Sequence, residues 1–297
     1  MVEITNLTKT FDGFTALNGL NLNIKKGSIY GLVGVNGAGK TTAIKHIAGI
    51  YQQDSGSVMV DGQPVYDNAQ IKAQVGFIPD DLYFFAGYSI KNMHQFYTRM
   101  YKQTWNEPRF QHLLDMFKLD PKRKITKFSK GMQKQVAFMF ATSIMPNFLL
   151  LDEPIDGLDP IVRRLIMEEI INDVAEREMT VLVSSHNLKE MDGICDAIGI
   201  IKNGRMVIER DLDDLKTDVH KVQVAFSQPV PTADLGLDIL HEDSRGSIKM
   251  LVIRGAEAEV LGRINGFNPV ILDRLPLTLE EIFVYETEGA TDDKIPY

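Results

Sequence analysis

Polar and apolar residues alternate near the start of the chain, at Val2-Glu3-Ile4 and again at Asn21-Leu22-Asn23-Ile24. A period of two predicts antiparallel strands with one buried face, and Asp12-Gly13 and Lys26-Gly27 supply turn residues between and after them. The pattern then changes. Ile29-Tyr30-Gly31-Leu32-Val33 is an unbroken run suited to a buried strand, and residues 41–50 carry helical spacing, with Gly49 fitting the helix end. Val58-Met59-Val60 and Val75-Gly76-Phe77-Ile78 read as further strands.

A mostly helical insert over about residues 86–147 interrupts the strand series, with helices predicted at 89–100, 108–117 and 131–144. Strands resume at Phe148-Leu149-Leu150-Leu151, at 180–183 and at 197–201. Between them lie a helix opened by Pro160, with Val162, Ile166, Ile170 and Val174 as its apolar stripe, and a short helix near 188–194. Strand–helix alternation of this kind predicts an α/β fold with a mostly parallel sheet covered by helices.

After about residue 217 the texture shifts. Strands are expected at 221–226, 248–253 and 269–272, with a short helix at 279–285 and a polar, frayed end. The expected organisation is a nucleotide-binding domain over 1–217 and a small α+β appendage over 218–297.

Composition narrows the options. The chain has 297 residues, 44% of them hydrophobic, enough for one large core with a smaller domain attached. A formal charge of -8 argues against direct nucleic-acid binding, which needs an excess of Lys and Arg. The single cysteine, Cys195, excludes an internal disulfide and is expected to be an inert packed thiol. No signal peptide and no 18-residue apolar window are readable, so work at a membrane would require docking onto another subunit.

Chemistry enters at the end of the third strand. Gly34-Val35-Asn36-Gly37-Ala38-Gly39-Lys40-Thr41 matches the phosphate-loop pattern at every fixed position, in the required strand-to-helix context. Its glycines let backbone N–H groups curl around phosphate oxygens, Lys40 reaches the β/γ-phosphates, and Thr41 offers a hydroxyl to Mg²⁺. The run Phe148 to Leu151 ends in Asp152-Glu153, placing two carboxylates at the C-terminal edge of a buried strand, where ligands gather. Asp152 suits the Mg²⁺ shell and Glu153 suits polarisation of an attacking water.

With these motifs in order, the chain resembles the nucleotide-binding domain of ATP-binding cassette (ABC) transporters over roughly residues 2–215. Further motifs carry the resemblance: Thr42 after the phosphate loop, the signature Phe128-Ser129-Lys130-Gly131-Met132 followed by Gln133-Lys134-Gln135, the loop Asp156-Gly157-Leu158-Asp159, and His186 in Ser184-Ser185-His186. The resemblance implies two such domains sandwiching two ATP molecules, each between one phosphate loop and the partner's signature helix. Ser129, Gly131 and Met132 would then meet the partner's nucleotide, Asp159 would cross the dimer interface, and His186 would contact the γ-phosphate. Taken alone, Ser129 more commonly serves as a plain helix cap, a role compatible with meeting the partner's phosphate. Phe11 aligns with the adenine-stacking aromatic, although an aromatic near a turn also suits a core.

Two departures stand out. Asp80 occupies the position of a usual glutamine, making it a candidate Mg²⁺ ligand, directly or through water. Lys130 and Met132 replace a glycine and a glutamine of the usual signature, a form resembling that of Gram-positive peptide and small-molecule exporters. The implied cofactors are ATP and Mg²⁺. The implied partners are a separate transmembrane permease and a second ATPase subunit, identical or related; the aromatic run Leu82 to Tyr88 suits the permease interface if exposed, or burial under the helical insert. The implied location is the cytoplasmic face of the cell membrane. A soluble ABC-type ATPase of translation or DNA repair is the competing class, but only one phosphate loop and no long coiled coil are present. A weakly hydrolysing regulatory subunit is the third, supported by Asp80 and the altered signature.

Overall fold

The computed structural model describes residues 1–288; the tail expected to be frayed lies outside the described residues. The elements run β1 (Val2–Phe11), β2 (Phe14–Ile24), β3 (Ile29–Val33), α1 (Lys40–Ile47), β4 (Ser55–Val60), β5 (Gln63–Pro64), α2 (Ala69–Lys72) and β6 (Val75–Ile78). The helical insert follows as α3 (Ile90–Met100), α4 (Glu107–Phe117) and α5 (Lys130–Ser143). Next come β7 (Phe148–Leu151), α6 (Pro160–Arg177), β8 (Thr180–Ser185), β9 (Ala197–Lys202) and β10 (Arg205–Asp211). The chain continues through α7 (Leu212–Asp218), β11 (Val219–Phe226), β12 (Asp238–Arg245), β13 (Ile248–Arg254), α8 (Glu257–Asn265), β14 (Pro269–Leu275) and α9 (Leu279–Glu288).

These elements form two compact units: Met1–Asn187 with Gly193–Glu209, and Leu188–Asp192 with the chain from Arg210 onward. In this division α7 falls in the second unit: it buries Leu212 and Leu215 and continues directly into β11.

In the first unit, β1 and β2 pair antiparallel across the Asp12-Gly13 turn, and β1 also pairs antiparallel with β4. The second sheet has the order β10-β9-β3-β8-β7-β6, and β6, β7, β8, β3 and β9 run parallel. Its inner strands are mostly apolar because both faces are covered: every residue of β3, β7 and β8 is buried. One core cluster joins Leu7, Leu17 and Leu20 of the antiparallel sheet to Ile44 and Ile47 of α1 and to Leu150 and Leu182 of the parallel sheet.

Side-chain caps fix the helix starts. Ser89 and Asn92 form a capping box on α3, Asn106 caps α4, Ser129 caps α5, and Asp159 caps α6 by accepting from the N–H groups of Ile161 and Val162. The apolar stripe expected on α6 is only partly realised: Ile166 and Ile170 are buried, whereas Val162 and Val174 are half-buried. Asp173 is buried instead, held by Arg109 at 2.7 Å and Arg177 at 3.3 Å. The helix expected near 188–194 is only a short 3₁₀ turn at Leu188–Glu190, followed by turns and by Gly193 at φ 74°.

The second unit is a four-stranded antiparallel sheet ordered β12-β13-β11-β14. Val222, Val224, Leu251 and Ile253 pack against Val260 and Ile264 of α8.

Candidate active site

The phosphate loop leaves β3 at Gly34 and delivers its lysine as the first residue of α1. Two glycines there have identifiable reasons. A Cβ on Gly34 would sit 2.5 Å from the Ile201 carbonyl oxygen, and Gly39 combines φ 113° with only 2.9 Å to the Ala16 carbonyl oxygen. The loop therefore rests directly on its neighbours, while Val35, Asn36 and Gly37 face solvent. Ala38 is buried, and Thr42, half-buried in the first turn of α1, accepts a hydrogen bond from His46 Nδ1 at 2.7 Å through its main-chain carbonyl.

Lys40 is buried, and its ammonium donates to the Gly34 carbonyl at 2.6 Å. The same ammonium lies 3.2 Å from Glu153 Oε1, close enough for strong attraction but without hydrogen-bonding geometry. Thr41 Oγ1 donates to Asp152 Oδ2 at 2.7 Å. Asp152 is 1% exposed, so its carboxylate needs partners, and Ser184 of β8 supplies the second by donating to Oδ1 at 2.7 Å. The Ser184 hydroxyl also accepts from the Glu153 N–H at 3.0 Å. Glu153 Oε2 meets His186 Nδ1 at 3.0 Å, and Asp156 approaches the same ring nitrogen at 4.0 Å.

Lys40, Thr41, Asp152, Glu153 and His186 thus gather from three parts of the sequence at the C-terminal ends of parallel strands. The hard oxygen donors of Thr41 and Asp152, already adjacent, fit a small divalent cation such as Mg²⁺. Asp80 has a different recorded neighbour: its half-exposed carboxylate lies 3.4 Å from the buried ammonium of Lys134 on α5.

Ser129, Gly131, Met132 and Asp159 are placed elsewhere. Among the described residues, no hydrogen bond or ion pair joins them to Lys40, Thr41 or Asp152. Ser129 Oγ accepts from the Met132 N–H at 3.2 Å, and a Cβ on Gly131 would come within 2.8 Å of the Gly157 carbonyl oxygen. Phe11, 37% exposed, meets Tyr51 edge-on at 5.3 Å and carries Lys9 5.4 Å from its ring centre. In the aromatic run beside Asp80, Tyr83 is 89% exposed, with Phe85 and Tyr88 also open to solvent.

Two neighbours of the site stood within quoted motifs without a role of their own: Ser184 beside His186 at the end of β8, and Lys134 after the signature in α5.

Residues 17–156 match the family model described as ABC transporter. Over 289 residues the chain is 30% identical to the ABC transporter ATP-binding protein YtrB of Bacillus subtilis, covering 97% of this chain and 99% of that protein. The chain belongs to the ATP-binding subunits of ABC transporters. As an ABC subunit it binds and hydrolyses ATP, on a P-loop cassette fold. It is 29% identical to the bacitracin transport ATP-binding protein BcrA of Bacillus licheniformis, covering 98% of each chain. Its fold matches the dimeric cassette MJ0796 in a post-hydrolysis state bound to ADP and Pi, with a TM-score of 0.64 and 26% identity over 71% of this chain and 99% of that one. That match covers 71% of this chain, whereas the matches to YtrB and BcrA extend over 97% and 98% of it. ABC subunits of this kind work with a transmembrane permease and dimerise; among the described residues of this one, no helix is long and apolar enough to cross a membrane.

Proposed function

We propose that the chain powers export through a separate permease, with hydrolysis centred on Glu153. The observation that carries this reading is the grouping of Lys40, Glu153 and His186 beside the Thr41–Asp152 pair. Lys40 and the N–H groups from Gly34 to Thr42 hold the phosphates, Glu153 takes a proton from the attacking water, and His186 orients that water and the γ-phosphate. Thr41 and Asp152 would hold Mg²⁺, with Asp80 as a further candidate; bound there, the ion neutralises charge on the phosphate oxygens. Phe11 stacks on adenine.

Ser129, Gly131 and Met132 lie apart from Lys40 in their own chain, which supports a site completed by a second ATPase subunit, identical or related. The start of α5 then offers its free N–H groups to the γ-phosphate bound by the opposite subunit, and Asp159 lies at the junction. The exposed run around Tyr83 and Phe85 is the docking face for the permease. The chain then lies on the cytoplasmic face of the membrane, touching it only through that permease. Nucleotide binding belongs to the first unit, and the appendage after about residue 217 adjusts assembly without phosphate chemistry.

The similarity to a bacitracin transport protein supports export of a peptide-like or small amphipathic compound. Affinity purification from solubilised membranes tests this reading. The expected result is a stoichiometric hydrophobic permease whose deletion sensitises cells to such compounds; co-purification with ribosomes or DNA instead would overturn it.

A further inference from the structure

Lys134 is a buried cation for which the phosphate chemistry has no role. It lies in α5, five residues after the capping Ser129, with its side chain 9% exposed. An ammonium so enclosed requires oxygen partners. It has two: it donates to the Glu153 carbonyl oxygen at 2.7 Å and approaches Asp80 Oδ1 at 3.4 Å. The shorter contact, in the more enclosed surroundings, is the stronger one.

The residue it grips is unusual. Glu153 has φ 47°, in the left-handed region that a side chain disfavours. Such a conformation persists only where its surroundings hold it. The Glu153 N–H is fixed by Ser184, its carboxylate is flanked by Lys40 and His186, and its carbonyl is fixed by Lys134. Removing Lys134 frees the peptide following Glu153 to rotate, and that rotation re-aims the carboxylate.

We infer that Lys134 is a positioning residue for Glu153, holding its strained peptide and tying the carboxylate's aim to helix α5. This rests on the reading that Glu153 handles the attacking water. Asp80 has a supporting part: its carboxylate helps keep the Lys134 ammonium in place, and the ammonium offsets negative charge near the phosphates.

The test uses the full-length chain as wild type and as Lys134→Met, Lys134→Arg, Lys134→Gln and Glu153→Gln. Steady-state MgATP hydrolysis, ATP binding in EDTA, thermal unfolding and hydrogen exchange of the segment after Glu153 are measured on each. The expected result for Lys134→Met is a kcat lower by about 10- to 100-fold, KM within about threefold of wild type, unchanged ATP binding in EDTA and faster exchange after Glu153. Lys134→Arg, which keeps the charge and donors, recovers part of the rate. A wild-type kcat in Lys134→Met overturns the inference, as does a loss of rate matched by equal losses of ATP affinity and unfolding temperature. If Lys134→Met does not fold, Lys134→Gln decides: its side chain is too short to keep both contacts, and a wild-type kcat there is equally fatal. Glu153→Gln separates the layers, since turnover in that variant removes the underlying reading, whereas its inactivity beside a fully active Lys134→Met removes only the role of Lys134.

Discussion

Ser184 offers a quantitative test of how the site is held, because one hydroxyl serves both acids. Its Oγ donates to Asp152 Oδ1 at 2.7 Å and accepts from the Glu153 N–H at 3.0 Å, with Ser184 0% exposed. Ser184→Ala removes a charge-assisted hydrogen bond worth about 1.5–3 kcal/mol and leaves the Glu153 N–H without its acceptor, a cost of about 1–3 kcal/mol. The two losses share one oxygen and are not additive, so about 2–4 kcal/mol of local stabilisation should disappear. Thr41 still holds Oδ2, so Asp152 keeps one partner and the fold should survive. The loss should concentrate at the junction of β7 and Glu153. Native-state hydrogen exchange on a peptide spanning Asp152 to Asp156 should accelerate by about 30- to 1000-fold, the same energy expressed as an opening equilibrium, while β1 and β2 exchange as before. MgATP turnover should fall in parallel. Unchanged exchange at Glu153 together with wild-type turnover would refute the claim that Ser184 holds the two acids.

Three further outcomes follow from local geometry. Gly131→Ala places a Cβ 2.8 Å from the Gly157 carbonyl oxygen, so the start of α5 or the loop 156–159 must shift; turnover should drop at least tenfold with the unfolding temperature little changed, as measured by calorimetry alongside hydrolysis. Asp173→Ala strips the buried acceptor from Arg109 and Arg177 and should cost about 3 kcal/mol, lowering the unfolding midpoint by about 6–12 °C without changing ATP affinity. Burial, aided by the negative charge of Asp196, pushes the Cys195 thiol up to about 12. The thiol should therefore stay protonated at pH 8, with only about one molecule in ten thousand as thiolate, and alkylation in the native state should be far slower than in urea.

The elements most legible in the sequence were those whose residues answer to a single local demand. Phe148–Leu151 has to be buried on both faces and has no polar residue, and Ser89, Ser129 and Asp159 each stand where a helix start needs an acceptor. β12 was missed because DILHEDSR is a strand with no buried residue, defined by its pairing with β13 and not by its own pattern. The buried Asp173 on α6 was missed because its partner Arg109 lies on a different helix 64 residues away. In the active site the motifs name the groups that touch phosphate, because nucleotide chemistry restricts their type and spacing. Ser184 and Lys134 act on the acids through single contacts that only the folded chain brings together, and a serine ending a strand or a lysine within a helix has many ordinary uses.

The central claim is that Glu153, pinned beside Lys40 and His186, carries out hydrolysis while the phosphate loop carries out binding. It is tested most directly by measuring MgATP turnover and ATP affinity on the same preparations of wild type, Glu153→Gln and Lys40→Ala. Glu153→Gln should lose at least about 100-fold in turnover yet bind ATP as tightly as wild type, with ATP favouring a dimer in light scattering, whereas Lys40→Ala should lose affinity itself. Turnover near the wild-type rate in Glu153→Gln would contradict the account.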